Sequence, residues 1–127
     1  MDAKLFWDLL EDVSQLGEFI ASIEIKGAAI DIVGTFQVVH DGIEMVLEKQ
    51  ECKDHFHLTP EQIQAIHFGY CKVSTGGMDP CIELINEDGQ VCLRLFYYPY
   101  RASELKPMYE QFMAQHQTYS DVLRGEW

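Results

Sequence analysis

The stretch Cys81-Ile-Glu-Leu-Ile-Asn86-Glu-Asp-Gly89-Gln-Val91-Cys-Leu-Arg94-Leu-Phe96 decides the class of fold. Before Asp88-Gly89, Ile82 and Leu84 stand two apart; after it, Val91, Leu93 and Leu95 do the same. A period of two belongs to a strand with one face on a core, and Asp-Gly supplies the positive φ of a tight hairpin. The alternation continues upstream through Ile23, Ile25, Ile30, Ile32 and Phe36, with turns expected at Lys26-Gly27 and Val33-Gly34. A further turn is expected at His40-Asp-Gly42, followed by Ile43, Met45 and Leu47, and then by Cys52, Asp54 and Phe56 alternating with Lys53, His55 and His57. Ile66 to Val73 reads as another strand, and Ser74 to Pro80 as a flexible loop.

The period changes at both ends. Leu5, Phe6, Leu9, Leu10, Val13, Leu16, Phe19 and Ile20 recur at three- and four-residue steps, which predicts an amphipathic helix from Lys4 to Ile20. Thr59-Pro-Glu-Gln62 has the cap, first-turn proline and glutamine of a short helix start. Ser103 opens a second helix to about Gln115, with Leu105, Met108, Tyr109, Phe112 and Met113 on its apolar face. The tail to Trp127 is expected to be loose. The expectation is one α+β domain spanning residues 1–127: about seven short strands in an antiparallel sheet, flanked by an N-terminal and a C-terminal helix.

Composition narrows the function. The 127 residues carry 47% hydrophobic and 24% charged side chains, which suits a chain with a packed core. A net charge of −12 leaves no basic stripe for neutralising phosphates, so nucleic acid is excluded as a partner. No apolar run is long enough for a membrane helix, and Met1-Asp-Ala-Lys4 does not begin a signal peptide, so the expected location is the cytoplasm. The sequence has no G-x-S-x-G, phosphate-binding loop, H-E-x-x-H or dinucleotide fingerprint. Cys52, Cys71, Cys81 and Cys92 never reach C-x-x-C spacing, and at least three of them read as structural thiols.

The histidines carry the chemistry. His55 and His57 are two apart, so both imidazoles leave one face of a strand. Such a pair can hold a metal, or one ring can ligate a heme iron while its neighbour tunes it. Cys52-x-x-His55-x-His57 also has the makings of a soft metal site, though it lacks a fourth ligand at a recognisable spacing.

The order of these segments resembles the cytoplasmic heme-utilisation carriers of the HutX/ChuX type, related to the two-repeat HemS/ChuS proteins. The resemblance runs over about residues 6 to 115. It rests on Phe6-Trp7, Leu16-Gly17-Glu18, His55-Phe-His57-Leu58, Ala65-Ile66-His67-Phe68, Cys81 to Asn86, Asp88-Gly89, Val91 to Phe96, Glu104-Leu105 and Phe112. It implies a non-catalytic heme carrier that acts as a homodimer and passes heme, or a related tetrapyrrole, to an accepting protein. His57, the histidine of the His-Leu step, would be the axial ligand of the heme iron. His40 or His55 would be secondary, with Arg94 or Arg101 near the propionates. Phe36, Met45, Phe68, Tyr70, Phe96 and Tyr97 are available to line a porphyrin pocket. Two departures stand out: Thr59 occupies a position where the family tends to have a basic residue, and the segment around His40 matches its second-ligand region poorly. The alternatives are a protein-interaction module that keeps the fold without heme, and a heme-degrading enzyme.

Overall fold

The computed structural model describes residues 2–41, 44–50, 54–72, 76–98, 102–115 and 123–127. Helix α1 (Ala3–Ser14) opens with Asp2, whose carboxylate accepts the Leu5 amide at 2.9 Å. It buries Leu5, Phe6, Leu9, Leu10 and Val13. It ends earlier than its periodicity suggests. Gly17 takes a φ of 136°, and Phe19 and Ile20, which fit either period, belong to strand β1 (Glu18–Ile25).

Strand β2 (Ala28–Asp41) follows a turn at Lys26-Gly27, as expected. The expected break at Val33-Gly34 is absent: β2 runs unbroken for 14 residues, and buried Gly34 stands opposite Phe19. The strands continue with β3 (Glu44–Lys49) and β4 (His55–Leu58). Pro60–Gln62 gives only a single 3-10 turn before β5 (Ile63–Lys72). The hairpin of β6 (Met78–Asn86) and β7 (Val91–Tyr97) closes where the sequence placed it. Gly89 has a φ of 77°, and the Asn86 side-chain oxygen accepts the amides of Asp88 and Gln90 at 3.0 Å each. β6 already begins within the segment expected to be a loop.

Helix α2 (Ala102–Gln115) does not close the chain, because a short strand β8 (Leu123–Glu126) follows it. The eight-stranded sheet has the order β4-β3-β2-β1-β7-β6-β5-β8. β8 lies parallel to β5 while the other pairs are antiparallel, so the sheet is mixed rather than wholly antiparallel. The described end of the tail expected to be loose, Leu123–Glu126, is instead paired with β5, and Trp127 packs beside Tyr109.

One face of the sheet supplies the core. Phe19, Phe36, Leu47, Leu58, Ile66, Phe68, Ile82, Leu84, Leu93 and Leu95 join the apolar side chains of α1 and buried Leu105 and Phe112 of α2. Tyr97, 1% exposed, bonds through its hydroxyl to the Glu104 carboxylate and so ties α2 to β7. No helix among the described residues is long and apolar enough to cross a membrane.

Candidate functional site

The register of β2, β3 and β4 fixes where the histidines go. His57 pairs with Val46, and Val46 pairs with Val39. Cross-strand partners share a face, so the neighbours His40 and His57 lie on opposite faces of the sheet. His40 stacks on Trp7 of α1 with ring centroids 4.3 Å apart. His55 and His57 share the face away from the helices, edge to face at 5.1 Å, as their spacing requires. β4 is the first strand of the sheet, so this imidazole pair stands on its edge.

Beside that edge lies a cavity of about 220 Å³. His57 borders it between Phe56 and Leu58; Ile63, Leu93 and Ile23 supply further apolar wall, and Gln62 and Asn86 polar groups. Ile23 continues the wall onto the β1–β2 hairpin, where it pairs with Ile30 and stands two residues from Ile25 on the same face. These three isoleucines are 40%, 63% and 68% exposed respectively. By the same register Ile23, Ile25 and Ile30 lie on the face of Phe36 and His40, so the isoleucine strip and the His57 imidazole stand on opposite faces of the sheet.

The other expected site residues are not gathered here. Tyr97 is buried on the helix-side face and bonded to Glu104, so it belongs to the core instead of a pocket. Phe36 and Phe68 are also fully packed. Arg94 follows Leu93 on β7, but its side chain belongs to the opposite face, where Nε meets Glu83 at 2.9 Å and Nη1 meets Glu24 at 3.2 Å. Arg101, Cys52 and the turn at residues 42–43 lie outside the described residues, as does the side chain of Met45.

The face away from the helices holds a second cluster that sequence reading missed. His67 pairs with Glu83, its Nδ1 3.3 Å from a carboxylate oxygen, and its Nε2 is 3.6 Å from Glu126. Cys71 and Cys81 are joined by a disulfide across β5 and β6, with Cα atoms 6.0 Å apart. This corrects the expectation of structural thiols for both: diagonal positions in the ladder bring the two sulfurs together. Cys92 keeps a free thiol, which donates to the Leu84 carbonyl at 3.3 Å. Alternation along β5 and β6 is the signal that could have found this cluster, once their register was known.

No family model matches the chain, and no curated protein is similar to it in sequence. Solved structures do match. A crystal structure of ChuX superposes with a TM-score of 0.66 at 17% identity, covering 91% of this chain and 72% of that one. The fold is that of ChuX. A second ChuX structure, described as a heme-binding protein, gives 0.63 at 16% identity, with the same coverage of 91% and 72%. A protein from Erwinia carotovora gives 0.62 at 16% identity, covering 91% of this chain and 70% of its own. At these identities the likeness to ChuX establishes the architecture, and the chemistry must come from this chain's own residues.

Proposed function

We propose that this chain is a heme-binding carrier, with His57 as the axial ligand. The observation that carries the reading is the exposed imidazole pair of His55 and His57 on edge strand β4, next to an apolar cavity that His57 borders. The heme-binding description of one protein of like fold supports it. The residues fit such a cargo in part. A neutral imidazole is a good iron ligand, whereas Ile23, Ile25 and Ile30 lie on the other face of the sheet from His57 and do not cover a porphyrin held there. At about 220 Å³ the cavity is smaller than the roughly 300–1,000 Å³ of ordinary ligand pockets, so a porphyrin would lie largely outside it.

His55 stands beside His57 and serves as the secondary residue, where it can tune or relay the ligand. His40 would reach the iron only from the other face of the sheet, which makes it the weaker second ligand. Arg94 would meet a propionate only by giving up Glu83 or Glu24. Arg101 is the alternative. Transfer to an accepting protein, a homodimeric state, a cytoplasmic location and a single carrier domain over residues 1–127 complete the proposal. Each of these rests on the family likeness.

Titration of the chain with ferric hemin tests the reading. Saturation near one heme per chain, with a sharpened Soret band that shifts and weakens in His57→Ala, is the expected result. A broad, non-saturating spectrum would leave an interaction module with this fold. Biliverdin-like absorption on adding an electron donor and oxygen would turn the carrier into an enzyme.

A further inference from the structure

β5 and β6 form an antiparallel ladder in which Gly69 faces Cys81, Cys71 faces Asp79 and His67 faces Glu83. Alternation puts His67 and Cys71 of β5, and Asp79, Cys81 and Glu83 of β6, on the face away from the helices. Cys71 and Cys81 are 6% and 0% exposed. One ligand atom from each of Cys71, Cys81 and Glu83 lies within 4.8 Å of the others. Two thiolates and a carboxylate bound to one tetrahedral zinc would stand roughly 3.5 Å apart, so small side-chain rotations suffice.

We propose that, in the reduced chain, Cys71, Cys81 and Glu83 bind a thiophilic divalent cation of the zinc type. Arg94 pairs with one oxygen of the half-buried Glu83 carboxylate, and the disulfide gives no use to the other. Nor does it explain His67, whose buried Nδ1 faces Glu83 at 3.3 Å without making a hydrogen bond. A histidine behind a ligating carboxylate is a common outer partner in metal sites, and it holds the ligand in place. Arg94 Nε already donates to the other Glu83 oxygen at 2.9 Å, and each carboxylate oxygen retains a second lone pair for the cation. Asp79 and Glu126 add negative charge around the site, against the positive charges of Arg94 and of Arg124, which pairs with His67.

Thiolates select zinc over harder ions such as magnesium and calcium. Three protein ligands leave a fourth position for water or a small anion. Binding releases the two thiol protons, so affinity rises with pH until both thiols are ionised. The disulfide and the cation use the same two sulfurs and exclude one another. This inference is independent of the heme reading.

The test is a titration of the reduced chain, freed of reductant under anaerobic conditions, with cobalt(II) as the probe for zinc. The expected result is a thiolate-to-cobalt charge-transfer band with tetrahedral d–d bands, saturating at one ion per chain and discharged by zinc. Cys71→Ser and Cys81→Ser should each lose most of the charge-transfer band. His67→Gln should keep the band but weaken binding by about 10- to 100-fold. Cys52→Ser and Cys92→Ser should bind as the parent does, with circular dichroism confirming that every variant is folded. A spectrum of hexaaqua cobalt from the reduced parent would overturn the proposal. So would a charge-transfer band that survives in the folded Cys71→Ser, Cys81→Ser double variant.

Discussion

Gly69 is where β8 meets β5, and its missing side chain makes that meeting possible. A Cβ there would strike the backbone carbonyl of Glu126. Gly69→Ala should therefore push β8 off its neighbour and cost about 1–3 kcal/mol, read as a lower urea midpoint. Gly125→Ala meets the Tyr109 ring from the other side of β8 and should act in the same direction. At Cys92, burial pushes the thiol up from its ordinary value, and the hydrogen bond to its own backbone only partly offsets this. Its alkylation in the folded chain should be slower than that of free cysteine at mildly alkaline pH, which mass spectrometry of the labelled peptide would check. The sign for stability follows. As pH climbs through the ordinary thiol range, the unfolded thiol ionises first, so this residue's contribution to stability falls there.

At the scale of elements, α2 is held to the sheet by its apolar face and by the Tyr97 hydroxyl on Glu104. Tyr97→Phe keeps the ring and leaves Glu104 without that donor. Thermal unfolding should show a loss of roughly 1–3 kcal/mol. The β6–β7 hairpin was legible in the sequence because alternation and turn chemistry at Asp88-Gly89 are local. The end of α1 was not, because Leu16, Phe19 and Ile20 satisfy the helical step as well as the strand step, and only the φ of Gly17 separates them. Val33-Gly34 resembled a turn, yet the Phe19 pairing carries β2 through it. β8 offered only Leu123 as an apolar signal, and its pairing with β5 is a long-range event. The candidate site divides in the same way. The shared face of His55 and His57 is a property of neighbouring residues. The separation of His40 from His57, the engagement of Arg94 by Glu24 and the meeting of Cys71 with Cys81 all depend on register between distant segments.

For the whole molecule, β8 covers one side of β5, a strand of ten residues that would otherwise end the sheet. A chain ending at Gln115 should expose that edge and associate with rising concentration, as sedimentation velocity would show against the intact protein. The opposite end of the sheet follows another logic. The first half of β2 pairs with β1 and its second half with β3, so β3 and β4 reach the rest of the hydrogen-bonded ladder through β2. Such an appendage can detach as a sub-global unit while the body of the sheet stays closed. In native-state hydrogen exchange, amides of β3 and β4 should lose protection at lower denaturant than those of β6 and β7. His57 would then ride on the most readily opened part of the molecule, and a bulky guest could enter or leave for the free energy of a local opening, well below that of unfolding the chain.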